Sequence, residues 1–378
     1  MTASSSLQAI RNEFPVASHI LYLDSAHQTP LCSRVKNALE DFLRESYQYA
    51  GPKSKWLLKV ESVREKLAKF IGASADEIAF TKNTSEGLNA AANALPLGPG
   101  DNVILIHGDH PNNAYAWLNL RQRGVEIRFA HLETEVADAN SFEALIDART
   151  RVISLSHVTF HAGQRHDIES IGKLCQRRNI ALVVDAMQSV GVLPIDVKKL
   201  GVSILAAGCH KGLLTPQGLG FIYVDDSLES LNPAYIATAG LANPPADFIA
   251  TPNDVALRPG AGRFELGNFN LPAIHGLDAA LDLLNELGPD AVEAHMLSLG
   301  DKLIEQLDDL GIALVGPRSP NNRAHIYVLA LLPEWTVYFA ECNVRVSPER
   351  DGVRISFGIF NTEADISALV QVIKARQA

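Results

Sequence analysis

The chain has 378 residues, of which 47% are hydrophobic and 20% charged, with a formal net charge of −10. This length and composition predict a large globular core and more than one domain, and the net acidity argues against nucleic acid or an anionic membrane as partner. No apolar run approaches the length of a membrane span, and Met-Thr-Ala-Ser-Ser-Ser at the start lacks the basic segment and apolar core of a signal peptide. Cys32, Cys175, Cys209 and Cys342 are scattered without metal-ligand spacing. A cytoplasmic protein with reduced thiols and no metal is expected.

Residues 1–18 read as an N-terminal arm with a short helix, and Ile20–Asp24 as a short strand. The polar turn Ser25–Pro30, with His27 and Gln28, follows. Residues 34–49 and 57–71 carry helical periodicity. Ile78–Thr81 is a strand, and a helix opens at Asn83-Thr84-Ser85-Glu86-Gly87 and stops before Pro96. Thr84 or Ser85 reads as its cap; the same geometry is an anion site, because free N–H groups and the helix dipole point at the loop. Asn102–Ile106 is the next strand, and His110 stands where it either caps a helix over 110–123 or faces a ligand. Val125–Ala130 is a strand, 141–148 a short helix, and Val152–Val158 a strand in which His157 is equally a buried structural histidine or a site residue. A helix runs from Asp167 to about Arg178. Strand and helix alternating from 76 to 224 predict parallel strands with crossover helices.

The stretch 181–211 organises the rest. Ala181-Leu182-Val183-Val184 is apolar and ends at Asp185, and Ile204-Leu205-Ala206-Ala207 leads to Lys211. Strands of this kind are buried on both faces, and ligands of α/β sheets sit at their carboxyl ends. Alone, Asp185 reads as a cap or ion-pair partner, and Lys211 as a solvated lysine. Together they match what pyridoxal phosphate requires: an acid that keeps a pyridine nitrogen protonated and a lysine that forms a Schiff base.

Asp185-Ala186-Met187-Gln188-Ser189 with His210-Lys211 resembles the core of the class V aminotransferases, fold-type-I pyridoxal 5'-phosphate enzymes. The likeness extends from Tyr22-Leu23-Asp24 to Arg354 and Phe360-Asn361-Thr362. It implies an α/β fold, with a large domain built on a mostly parallel sheet flanked by helices and a small C-terminal α+β domain. It implies that Lys211 carries the cofactor, that Gln188 donates to its phenolic oxygen after a turn, and that a helix links Ser189 to the strand before Lys211. The phosphate would lie at Thr84 and Ser85, His110 would stack on the ring, and Asn113 would hydrogen-bond the cofactor. His27 would border the substrate and Arg354 would clamp its carboxylate, since a guanidinium fork binds both oxygens. Relatives often carry serine where this chain has Gly208, so His210 becomes a candidate neighbour of the phosphate or Schiff base. Arg263-Phe264-Glu265-Leu266-Gly267-Asn268-Phe269-Asn270 resembles a family segment whose third-from-last position reaches the partner subunit's phosphate; Asn268 here implies a homodimer.

Residues 225–260 read as loop-rich, 271–287 and 290–310 as helices, and His325–Leu331, Asn343–Val346 and Val353–Ser356 as strands, with a terminal helix over 362–376. Domain limits are expected at 1–20, 21–275 and 276–378. Family members remove the Cα proton of an amino acid, and the link Ser347–Gly352 lacks the cysteine of the desulfurases. Transaminase- or epimerase-type chemistry is therefore expected, with β-eliminating C–S cleavage or a cysteine desulfurase-like activity as the alternative. A non-catalytic binding protein is disfavoured by the joint presence of Asp185, Gln188, Lys211 and Arg354.

Overall fold

The computed structural model describes residues 9–132, 135–228, 230–247, 249–250 and 255–377. After strand β1 (Leu21–Tyr22), one sheet takes up β2 (Ile78–Thr81), β3 (Asn102–Ile106), β4 (Glu126–Ala130), β5 (Thr150–Ser156), β6 (Ala181–Asp185), β7 (Ile204–Gly208) and β8 (Gly220–Val224). Their order is β2-β8-β7-β6-β5-β3-β4. The central strands alternate between two cores. Leu182 and Val184 of β6 pack into one, with Leu205, Ala207, Phe221 and Tyr223. Val183 packs into the other, with Ile204, Ala206, Ile222 and Val224. Successive strand residues point to opposite faces, so a sheet covered on both sides needs unbroken apolar strands.

Pairing is parallel from β4 through β3, β5 and β6 to β7. Strand β8 is antiparallel to both β7 and β2, so the sheet is mostly parallel as expected, with β8 departing from the parallel course read for strands between 76 and 224. The physical reason is the connection: Cys209–Leu219 is a short loop without a helix, and parallel neighbours need a long crossover. The expected helix between Ser189 and β7 is also replaced, by turns. The helix expected over 141–148 is confined to Asn140–Glu143, and the one over 110–123 is α-helical only across Pro111–Leu118 before tightening to a 3-10 helix.

The C-terminal region holds β9 (Leu314–Val315), β10 (Ile326–Leu329), β11 (Val344–Arg345), β12 (Ser347–Glu349) and β13 (Gly352–Ser356). Four of them form an antiparallel sheet in the order β12-β13-β10-β9. Strands β9 and β12 and the helix Glu334–Glu341 escaped the sequence reading; segments this short show no period. Strand β11 pairs instead with β1, and Asp24 bridges Ser356. Arg11 adds a bidentate pair with Asp365, at 2.8 and 2.9 Å. The beginning of the described chain is thus bound to its end. Residues 1–8 of the expected arm lie outside the described residues.

One buried ion pair ties the helical layer to the sheet. Arg64 lies on the helix Lys53–Phe70, and its Nη1 donates to Glu265 at 2.6 Å and to the Ile78 carbonyl at 2.9 Å. Both side chains are nearly inaccessible, at 4% and 2% exposure. The Phe80 and Phe269 rings lie 5.1 and 5.9 Å from the guanidinium. Glu61 engages Nε and Nη2 of the same guanidinium at 3.0 and 3.1 Å, so Glu265→Ala removes the buried carboxylate from a cation that keeps one partner and is expected to cost about 1.5–3 kcal/mol in a urea titration. The apolar double replacement Arg64→Met/Glu265→Leu is expected to restore most of that stability; a double variant as weak as the single would show that the pair is not the tie.

Candidate active site

Four parallel strands and one helix deliver their ends to a single cavity of about 280 Å³. Asn83, Thr84 and Ser85 come from the start of the helix Thr84–Ala94, and His110 and Asn112 from the loop and helix after β3. Ser156, Val158 and Phe160 follow β5, Asp185, Met187 and Gln188 follow β6, and His210 and Lys211 follow β7. The turn Ser25–Pro30 is tied to this rim twice. Gln188 Nε2 donates to the Ala26 carbonyl at 3.0 Å, and the Thr29 N–H donates to the His210 carbonyl at 3.2 Å.

Lack of water sets the charges. Burial pushes the Asp185 carboxyl up to about 7; Asp109 adds to the rise, while the Met187 N–H, 2.9 Å from Oδ1, and Lys211 oppose it. Burial, then the Arg354 cation, pushes Lys211 down to about 8 against the pull of Asp185 and Asp24. His210 falls to about 4, by burial first and then by Lys211 and His27. Burial and Lys211 hold His110 below its ordinary value. An acid and an amine therefore share this cavity with their proton affinities drawn together.

Several expected residues meet here. His110 both caps its helix, Nδ1 accepting the Asn112 N–H at 3.2 Å, and lines the cavity with its ring edge-on to Phe160 at 4.8 Å. The helix at Thr84 is capped by Asn83, whose side chain accepts the Glu86 N–H at 2.9 Å. Capping thus leaves Thr84 and Ser85 at the cavity, contrary to the reading of either as the cap. Asn113 is a correction. It is buried away from the cavity, donating to Asp109 at 3.1 Å and accepting from Ser154 at 2.8 Å; its neighbour Asn112 lines the wall instead. A one-residue shift at a helix start turns the side chain by a large angle, and no residue pattern marks it. His157 is buried and pushed by burial down to about 3, a neutral structural histidine.

Other expected residues stand off. His27 is exposed near His210. Arg354 is buried in β13, beside Glu349 and Asp24. Asn268 is exposed in a separate hollow with Lys82, Glu86 and Gly267. Met187 was not anticipated. Its sulfur accepts from Thr84 Oγ1 at 3.0 Å and from the Gly208 N–H at 3.2 Å. A Cβ at position 208 would lie 3.0 Å from that sulfur, so a side chain there would require the thioether to give way by a few tenths of an ångström.

The residues fit the cofactor that the resemblance implies. Gln188 is the exception: its Nε2 is taken by the Ala26 carbonyl and its buried Oε1 has no hydrogen-bond partner, so as placed it offers an acceptor and not the donor that the resemblance implies. The helix start at Thr84 offers N–H groups that no helical carbonyl can take. Gly87 lets that helix approach β7, since a Cβ there would meet the Ala206 Cβ at 2.8 Å.

Comparison with known proteins agrees. The family model Aminotransferase class-V matches residues 21–331. An uncharacterized aminotransferase of Schizosaccharomyces pombe is 36% identical, covering 97% of this chain and 95% of its own length. A probable cysteine desulfurase of Methanothermobacter thermautotrophicus is 32% identical over 78% of this chain and 74% of its own. The solved structure of a C-DES variant with glycine covalently linked to its pyridoxal phosphate cofactor superposes with a TM-score of 0.88 at 22% identity, covering 96% of this chain and 98% of that one, a likeness of fold. With the family model spanning most of its length around a buried lysine and acid, the chain belongs to the class V aminotransferases, a family of pyridoxal 5'-phosphate-dependent enzymes.

Proposed function

We propose that this protein removes the Cα proton of an α-amino acid in a transaminase- or epimerase-type reaction, as a cytoplasmic homodimer. The observation that carries this reading is Lys211, buried in one cavity with Asp185 and with its pKa lowered to about 8. Pyridoxal phosphate, when bound, supplies an electron sink for the substrate carbon. Lys211 Nζ anchors the cofactor and is the base for the Cα proton. An ordinary lysine, near 10.4, is almost wholly protonated at neutral pH; burial leaves this one a working neutral fraction. Asp185 holds a positive charge at the ring nitrogen. The helix start at Thr84 and Ser85 receives the phosphate, with His210 beside it, and Gln188 orients the ring. His110 and Phe160 cover the cavity and exclude water. Arg354 binds the substrate carboxylate.

Two features supply the remainder. The exposed Asn268, lying outside its own chain's cavity, suits a donor to the partner subunit's phosphate. Among the described helices none is long and apolar enough to cross a membrane, in keeping with the cytoplasmic reading. A β-eliminating C–S cleavage on the same residues is the second reading, favoured by the 32% identical relative named as a desulfurase. Persulfide transfer to a protein thiol is not part of it. Cys32, Cys175 and Cys209 are buried, with burial raising each thiol (Cys175 to about 12), and Cys342 ends the helix Glu334–Glu341 away from the cavity.

The cofactor-loaded protein is expected to show a visible absorbance band lost on borohydride reduction, and to exchange the Cα hydrogen of its substrate with solvent deuterium. Lys211→Ala should abolish both; deuterium exchange at the wild-type rate in that variant would rule out Lys211 as the base. Screening amino acids for keto acid, ammonia and sulfide separates transamination from elimination.

Asp185 also sets a pH dependence of stability in the cofactor-free protein. Its folded pKa lies above the unfolded value, so the folded state holds the extra proton between about pH 4 and pH 7. The contribution of Asp185 to stability therefore falls as pH rises through that window, by up to about 1.4 kcal/mol per pH unit. It works against the opposite slopes of His157, His166, His210 and His325, whose lowered values add stability as pH rises toward 6.5. Lys211, lowered to about 8, acts as the histidines do, at higher pH: stability rises between about 8 and 10.5. The melting temperature of Asp185→Asn should therefore climb more steeply than that of wild type between about pH 4 and 7; a difference between the two proteins that does not vary with pH across that window would show that Asp185 is not the responsible group.

Asn268→Ala should weaken cofactor retention, and dilution should release cofactor and activity together, because a ligand shared between subunits links binding to assembly. Sedimentation alongside absorbance checks this. A monomer that retains its cofactor through gel filtration would contradict it.

A further inference from the structure

The guanidinium of Arg354 is pinned at one nitrogen and idle along an edge. Nη1 donates to the Phe160 carbonyl and to Glu349 Oε1, both at 2.9 Å. Nη2 has only a 3.6 Å contact with Asp24 Oδ1, and Nε is buried without any hydrogen-bond partner. A buried, charged donor left unpaired is costly, and a carboxylate bound across Nε and Nη2 would satisfy both at once in the geometry a guanidinium favours. The idle edge is thus the receptor, and what keeps it free is whatever holds Nη1 elsewhere.

Glu349 does so from a rigid mount. It ends β12 opposite Gly352, while Arg354 lies across from Ser347 on β13. At the tip of this hairpin Arg350 Nη2 donates to His161 Nδ1 at 3.3 Å, and Asp351 lies 2.9 Å from His161 Nε2. The hairpin is thereby fastened to the segment whose Phe160 walls the cavity. On the far side, Asp24 is engaged by Ser347 Oγ at 2.7 Å and by Arg345 at 3.4 Å, so it is drawn away from Arg354.

We propose that Glu349 is a positioning residue: by occupying Nη1 together with the Phe160 carbonyl, it presents the Nε–Nη2 edge of Arg354 to the substrate carboxylate. This rests on the reading of Arg354 given under Proposed function. The role calls for an acceptor at that point more than for a charge, so glutamine serves and alanine does not.

Glycine and methylamine differ by one carboxylate, so the ratio of their affinities isolates that group. Each is titrated into cofactor-loaded protein and followed by the shift of the visible band, with melting temperatures measured in parallel. Glu349→Ala is expected to weaken glycine about tenfold, the worth of one charge-assisted hydrogen bond, and to leave methylamine unchanged. Glu349→Gln is expected to bind glycine as wild type does. If the alanine variant fails to fold, Glu349→Asp, which withdraws the acceptor by one methylene, should weaken glycine selectively. Unchanged or tighter glycine binding in the alanine or aspartate variant, equal loss of both ligands, or no rescue by glutamine would overturn the proposal. Arg354→Gln separates the two levels. If it leaves the preference for glycine intact, the reading of Arg354 itself fails; if it abolishes the preference while Glu349→Ala does not, only the role of Glu349 falls.

Discussion

The constraint on which this structure depends is the exclusion of water from the place where Asp185 and Lys211 meet. In water these groups would ionise without consequence. At the carboxyl ends of β6 and β7, burial moves the acid up to about 7 and the amine down to about 8. That exclusion is the work of the whole sheet: two separate cores cover its faces, and β6 and β7 contribute buried apolar side chains to both. Stability given up in burying two polar groups is returned as reactivity, the usual relation between strained sites and their scaffolds.

The sequence carried the strand ends better than the connections. Apolar runs placed Asp185 and Lys211 at or just beyond strand ends, but it was the two together, within a motif that resembles the family's, that pointed to their chemistry. The helix start at Thr84 was visible as a hydroxyl-rich segment between a strand and an Ala-rich run. What could not be read were relations between segments far apart in the chain. The antiparallel course of β8 follows from a loop being too short for a crossover, which is evident only once β7 and β8 are known to be neighbours. The turn of Asn113 into the protein, and of Asn112 toward the cavity, depends on where one helix begins. Met187 lay inside the best-recognised motif, yet its role emerges only against Thr84 and Gly208.

That trio shows how a site can change composition and keep its shape. A thioether occupies the space beside Gly208, and a side chain at 208 would press on it at 3.0 Å. Sulfur is a weak acceptor and cannot donate to an anion as a hydroxyl does. The anion-binding burden therefore shifts to the helix start and, in the proposed dimer, to a neighbouring subunit. A change at one glycine redistributes the work across elements that never touch in sequence.

The union of the two chain ends has a bearing on biosynthesis. Ala26 donates its N–H to Ser356 Oγ across 330 positions, and Leu21 and Tyr22 wait for Val344 and Arg345. A ribosome releases the N-terminal segment first and its partners last. The lysine pocket is complete once β8 has emerged, but the corner around Arg354 cannot close until the final strand is made. Contacts of such range are slow to form. A nascent chain therefore holds every residue that lines its lysine cavity well before it holds the arginine of β13, so the two parts of the site are completed at different times.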